Sequence, residues 1–297
     1  MRRSLVFFLF ALGAAATVAA VVGAAAARGS PARNEARLYG GAAYFAVFCG
    51  FSHRNQDDPI VFPRQPGRSH DHTYFGNRST DAASTPSSLR AAARTSCRLD
   101  EDTAAYWAPT LFANGRAVEP LGMVAFYVRR TFEPVRAFPA GLKVIAGSAA
   151  ARRPQSRQIT VWSCGRTSGI AGSSEVPTCP TAGVSTLRRG GARSSLRLQV
   201  NFPSCWDGRR LDSADHQSHM AYPAEGRCPD SHPVEVPGLT LVMYYGVAGG
   251  SGVELSSGGQ FSAHADFVNA WHQPTLEALV DRYLNGFGGR GGHRGRR

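Results

Sequence analysis

Short apolar runs punctuate this chain, separated by long stretches rich in Gly, Pro and Ser. The clearest run is Leu196-Arg197-Leu198-Gln199-Val200-Asn201-Phe202, whose strict alternation sets one face on a core and the other in solvent. Tyr44 to Cys49 reads as a buried strand, and Met123 to Arg129, Gln158 to Cys164 and Thr240 to Val247 are further strand candidates. Helix is sparse. Ser87 to Arg94 predicts a short one. Pro274 to Leu284 predicts a better one, with Pro274 in the first turn, an apolar stripe of Leu276, Leu279, Val280 and Leu284, and Gly286 placed to stop it. Ser148 to Arg157 and Gly165 to Pro180 read as loops, and no internal repeat is present. The pattern predicts a mainly β protein: one antiparallel, jelly-roll-like β-sandwich with long loops and a short C-terminal helix.

The N-terminus departs from that pattern. Met1-Arg2-Arg3 precedes an Ala-rich apolar run from Leu5 to Ala27, with small residues at Ala24-Ala25-Ala26 that suit a signal peptidase. Charged, then apolar, then small is the order of an export signal. The run is also long enough to stay as a membrane tether, since about 20 apolar residues cross a bilayer. The expected organisation is an export signal or anchor over 1–27, a flexible leader over 28–43, one β-rich domain over 44–285 and a disordered Gly/Arg tail over 286–297. The expected location is extracellular, secreted or anchored on the outer face of the membrane.

Cysteine usage agrees with export. Cys49, Cys97, Cys164, Cys179, Cys205 and Cys228 are even in number and all follow the apolar run, which suggests three disulfides in an oxidising compartment. No pair has Cys-x-x-Cys spacing, which argues against a thiolate zinc site. Proximity along the chain favours Cys49–Cys97, Cys164–Cys179 and Cys205–Cys228. The formal charge of +12 suggests nucleic acid at first sight. Six of the arginines lie at the ends, however: without Arg2, Arg3, Arg290, Arg294, Arg296 and Arg297, 27 cations face 21 acids, a formal +6. On an exported protein that modest excess fits anionic wall polymers or lipid headgroups better than nucleic acid, and the expected partner is a polysaccharide or an anionic wall polymer.

Candidate chemistry is concentrated in three polar clusters. The first is Ser69-His70-Asp71-His72-Thr73-Tyr74-Phe75-Gly76-Asn77. On an extended segment His70 and His72 point to one face, as a metal or an anionic group requires. The bland alternative is a pair of hydrogen-bonded histidines at a core edge. The second cluster runs from Cys205-Trp206-Asp207-Gly208 to Asp212, Asp215, His216 and His219. Its aspartates supply either ligands or hydrogen bonds that orient imidazoles, unless they only cap backbone N–H groups in Asx turns. The third is His264-Ala265-Asp266-Phe267, where His264 and Asp266 share a face of an extended segment. Tyr74, Asn77, Tyr106, Trp107, Trp206 and Asp207 are candidate substrate-binding residues, with burial of the aromatic pair as the commoner outcome. No Walker loop, dinucleotide fingerprint or Gly-x-Ser-x-Gly elbow is present.

Several of these segments occur together in a recognisable order: Asp57-Asp58-Pro59-Ile60-Val61, Ser69 to Asn77, Tyr106-Trp107-Ala108-Pro109, Phe202 to Gly208, Asp215 to Met220 and His264 to Phe267. From Cys49 to Asn285 the chain resembles the secreted family called domain of unknown function nineteen ninety-six, found in fungi and actinomycetes. Asp71 and Tyr74 depart from it, since the family more often has Leu and Phe there. Fungal relatives often carry wall-binding or carbohydrate-binding modules, so the resemblance implies work on or near polysaccharide.

Three functions compete on this basis. One is a hydrolase or lyase acting on cell-wall polysaccharide, in which His70, His72, His216, His219 and His264 converge with Asp212, Asp215 and Asp266 in one cleft. The second is a metal-dependent oxidative or hydrolytic enzyme holding a divalent ion through His70, His72, His216 and His264. The third is a non-catalytic glycan-binding or wall-binding protein in which the clusters merely organise loops.

Overall fold

The computed structural model describes residues 43–164, 172–180 and 196–286. The expected export segment, residues 28–42 of the leader, residues 165–171 of the loop 165–180 and tail residues 287–297 lie outside the described residues.

The chain begins with β1 (Tyr44–Cys49), β2 (Phe51–Asn55) and β3 (His72–Gly76), then α1 (Pro86–Ala92). There follow β4 (Ala105–Pro109), β5 (Leu111–Ala113), β6 (Arg116–Ala117), β7 (Pro120–Val128), β8 (Lys143–Gly147) and β9 (Thr160–Ser163). The rest is β10 (Arg197–Asn201), β11 (Cys205–Trp206), β12 (Met220–Ala221), β13 (Val234–Glu235), β14 (Gly238–Tyr245), β15 (Val253–Leu255), β16 (His264–Val268) and α2 (Gln273–Leu279). The expected C-terminal helix therefore forms, but Val280–Asn285 continues it as a π-helical turn. The Asn285 side chain brackets Val135, accepting from its N–H and donating to its carbonyl, so a tertiary contact fixes the helix end.

Two antiparallel five-stranded sheets form a β-sandwich, in the orders β1-β7-β14-β10-β9 and β2-β3-β4-β16-β8. Alternation in β1 and β10 puts Phe45, Val47, Leu198 and Val200 inward. They meet Phe75, Tyr106, Val144, Ala265 and Phe267 of the second sheet in one apolar cluster. The bridges Cys49–Cys97, Cys164–Cys179 and Cys205–Cys228 join the cysteines nearest along the chain.

The second sheet is covered on both faces. On its outer face Tyr74, Ala105, Trp107 and Val268 pack with Ile60, from the loop between β2 and β3, and with Leu89 of α1. All residues of β3, β4 and β16 are consequently buried. Alternation thus delivers His72, His264 and Asp266 not to solvent but to a covered sheet face.

A polar chain also crosses the main core. Trp271 Nε1 donates to Tyr127 Oη at 2.8 Å, Tyr127 and Tyr106 share a hydroxyl contact of 2.7 Å, and the Tyr106 hydroxyl donates to the Asp102 carboxylate at 2.9 Å. Burial pushes the Asp102 carboxyl up to about 8, against the opposing pull of the Tyr106 hydroxyl and the Ala104 N–H. Asp102 is therefore protonated in the fold where the unfolded carboxyl, near 3.8, has already lost its proton. Its contribution to stability is complete below that lower value and is lost as pH rises toward about 8. Asp102→Asn should flatten the fall in stability between pH 5 and pH 8 by roughly a few kcal/mol. Urea unfolding at the two pH values checks this, and an unchanged pH dependence would refute it.

Candidate metal centre

The loop 56–71 builds the centre before any histidine enters it. The Asp57 carboxylate accepts from Gly67 N at 2.9 Å and Ala82 N at 3.1 Å, tying both ends of the cover together. Asp58 Oδ1 accepts from Ile60 N and Val61 N at 2.8 and 2.9 Å, the Asx-type turn that an Asp-Pro pair favours. These bonds hold the Asp57 carbonyl over β3, where it accepts from His72 Nδ1 at 2.9 Å and from the Tyr74 hydroxyl at 2.5 Å.

The bond to Asp57 places the His72 proton on Nδ1 and leaves Nε2 as a lone pair. His72 Nε2 is buried and has no hydrogen-bond partner among the described residues. The same logic applies across the sheet, where His264 Nδ1 donates to the Ser262 carbonyl at 2.8 Å and its Nε2 is left to accept. His70 Nε2 lies 3.2 Å from that atom. Ligands at the usual 2.0–2.1 Å from a tetrahedral ion stand about 3.3 Å apart, so this spacing is one edge of such a polyhedron. The centroid separations are 4.2 Å for His70 with His72 and 5.7 Å for His72 with His264.

Carboxylates close the group. Asp266 Oδ2 is buried without a hydrogen-bond partner among the described residues and lies 3.9 Å from His264 Nε2. Ligand atoms of His70, His72 and His264 lie within 4.8 Å of one another, as do those of Asp58, His72 and Asp266. Carbonyl-locked imidazoles with converging Nε2 atoms beside a carboxylate are the arrangement that orients metal ligands. His72, His264, Asp58 and Asp266 are between 0 and 4% exposed, and only His70 reaches solvent appreciably.

Electrostatics point the same way. Burial first, and then the neighbouring His70 and His264, hold His72 well below its ordinary value. Burial lowers His264 to about 4 and also lowers His70. Burial, reinforced by Asp58, raises Asp266 well above the carboxylate range, and Asp58 is itself raised by burial. Neutral imidazoles are the form that binds a metal, and a divalent cation would reverse the penalty on the two carboxylates.

The second histidine cluster does not complete the group. His219 is fully buried, with Nδ1 on Ser213 Oγ at 2.9 Å and Nε2 on the Lys143 carbonyl at 2.6 Å, so both ring nitrogens are used in pinning the loop to β8. Asp215 accepts from Ser213 Oγ, Gln217 N and Ser218 N; the Ser213 bond leads in holding it below the usual range. Catalytic roles for His219 and Asp215 are therefore corrected to loop-building ones. His216 is corrected as a ligand, since among the described residues it does not join the converging ligand atoms. Its Nδ1 lies 2.8 Å from Asp212 Oδ1, and Asp212 Oδ2 meets Lys143 Nζ at 3.1 Å. A protonated His216 would pull Asp58 down, against the burial that raises it.

Most expected substrate contacts are also internal. Tyr74, Tyr106, Trp107 and Asn77 are 0% exposed, which rules out stacking on a sugar from the surface. Tyr106 faces the core, and Asn77 clamps the Leu89 and Thr103 carbonyls. Asp207 caps Arg209 N and Arg210 N, and Trp206 Nε1 donates to the Arg210 carbonyl. Sequence reasoning missed Asp57 and Asp58 as site residues; their signal is a paired acid before Pro59, which also reads as an ordinary turn.

The profile of the family described as Domain of unknown function (DUF1996) matches residues 58–271, which runs from Asp58 of the centre to Trp271 of the core network. The chain belongs to this family. The DUF1996 match contains every residue of the centre, whereas Asp57, whose carbonyl locks His72, precedes it by one position. No curated protein and no solved structure matches the chain.

The division between ligand and loop histidines has a direct check. His219→Ala should cost roughly 1–3 kcal/mol in thermal or urea unfolding, because Ser213 and the Lys143 carbonyl lose a buried partner. The variant should leave metal content unchanged; loss of metal without loss of stability would contradict the assignment.

Proposed function

We propose that this protein is a metal-dependent enzyme, a hydrolase or lyase acting on cell-wall polysaccharide outside the cytoplasm. The observation that carries the reading is the buried, unpartnered Nε2 of His72, a residue shared by two groups whose ligand atoms lie within 4.8 Å of one another, one with His70 and His264 and one with Asp58 and Asp266, the last with an orphaned Oδ2. An unpartnered polar atom in a dry site is costly, and two in one cluster call for a common partner. Imidazole with carboxylate suits zinc, copper or another divalent transition ion. When bound, such an ion supplies a polarised water or substrate oxygen at neutral pH.

The chain's own groups supply the remainder. His70 is the ligand that reaches solvent and marks the side from which a substrate group approaches. Asp212 fixes the His216 tautomer, with its proton on Nδ1, so Nε2 is free to take a proton. Lys143 neutralises the other Asp212 oxygen. The three disulfides agree with an oxidising compartment, and no helix among the described residues is long and apolar enough to cross a membrane. The expected export segment over 1–27 and the modest basic excess agree better with an anionic wall polymer than with nucleic acid.

A structural ion is the second reading, favoured by the 0–4% exposure of four of the five candidate ligands. Metal analysis after purification without chelator should give about one equivalent per chain, with a large loss in His72→Ala and in His264→Ala. Adding the metal back to chelated wild type at 100 times its Kd should stabilise it by about 2.7 kcal/mol. Absence of bound metal and of any stabilisation would overturn both metal readings. Turnover on a panel of wall polysaccharides separates the two. The enzyme reading expects metal-dependent cleavage that falls about 100-fold or more in His216→Ala while the metal is retained. Metal-loaded, folded protein without turnover would leave only the structural ion.

A further inference from the structure

A separate cleft of about 400 Å³ opens at the end of the first sheet, lined by Arg130, Arg157, Gln158, Asn201 and Tyr222 among others. Among the described residues, it shares none with the metal centre, and no carboxylate lines it. We infer that this cleft is a binding subsite for an anionic saccharide, held through its carboxylate or phosphate.

The lining is built, not incidental. Arg130 Nη2 is held at 2.6 Å from Thr240 Oγ1 and 3.2 Å from Asn201 Oδ1, and Asn201 is 6% exposed. Asn201 is fixed in turn by Thr240 and by the Gln158 carbonyl. Gly238 makes room for the guanidinium, since a Cβ there would stand 2.3 Å from Arg130 Nε. One arginine is thus fixed in position at the cleft, while Arg157 and Gln158 are exposed beside it. Planar guanidinium forks bind carboxylate and phosphate through paired hydrogen bonds.

The rim carries the complementary feature for a sugar ring. Phe132 is 70% exposed, and Tyr222 is 37% exposed while its hydroxyl donates to the Asn201 carbonyl. The Phe132 ring lies against Gly226, a cleft residue, where a Cβ would meet it at 2.6 Å. An exposed aromatic held at the mouth of a polar cleft offers the apolar C–H face of a pyranose a surface while the arginines take its acid. This subsite shares the saccharide with the functional reading but does not depend on the metal.

The test is equilibrium binding of the intact protein to a soluble polyuronate, a glycerol-phosphate polymer and a neutral glucan. Wild type should bind one or both anionic polymers, weakening as salt rises, and should ignore the neutral glucan. The arm that binds identifies carboxylate or phosphate. Arg157→Ala should weaken binding about tenfold and Phe132→Ala severalfold, at unchanged folding, because both side chains are exposed. Chelated wild type should bind as tightly as untreated protein even where turnover is lost, which separates this site from the metal centre. Equal binding by wild type and both variants, equal affinity for the neutral glucan, or no binding to either anionic polymer would overturn the inference.

Discussion

A single backbone carbonyl governs the chemistry of the outer sheet face. Asp57 O accepts from both His72 Nδ1 and the Tyr74 hydroxyl, and so decides which nitrogen of His72 carries the proton. Were that carbonyl to turn away, the imidazole could satisfy itself locally and the cluster would lose its most deeply buried lone pair. The side chain of the same residue ties the loop shut through Gly67 and Ala82. Cover and tautomer are therefore set by one residue, whose two halves do different work.

This arrangement places polar groups where a sandwich ordinarily keeps apolar ones. The inner face of the second sheet contributes Phe75, Tyr106 and Phe267 to the core, while its outer face mixes Tyr74, Trp107 and Val268 with His72, His264 and Asp266. Trp107 pairs across the sheet with both Tyr74 and Asp266, so an aromatic wall adjoins the carboxylate. That wall excludes water and lowers the local polarity, which is what displaces the Asp266 proton equilibrium upward.

Local periodicity made much of this legible in the sequence. Short apolar runs located β1 and β14, alternation located β10, and alternation also put His264 and Asp266 on one face, which needs only the two-residue repeat of a strand. It also brought His70 and His72 together. What it could not supply was the register that sets β16 beside β4 and thereby His264 beside His70. Nor does composition separate a ligand from a fastener: His219 and His72 are equally buried, but among the described residues His219 has a partner on each ring nitrogen and His72 on Nδ1 alone. Asp58 was hidden for a related reason, since one of its oxygens makes a turn that would suffice to explain it. The end of the C-terminal helical segment was legible in position but not in its π-helical geometry after α2, where Asn285 reaches across the chain to Val135.

Gly147 links the edge of this sheet to its chemistry. It pairs with His264 at a φ of +81°, and a Cβ built there would stand 2.5 Å from the Ala263 carbonyl and 3.0 Å from His264 Cα. The bare hydrogen at this position is thus a spacer of minimum width, letting two backbones approach within a distance no other residue permits. Any side chain at 147 would pry β8 from β16 and tilt an imidazole that it never touches, so the smallest residue on the strand fixes the aim of one of the largest polar ones.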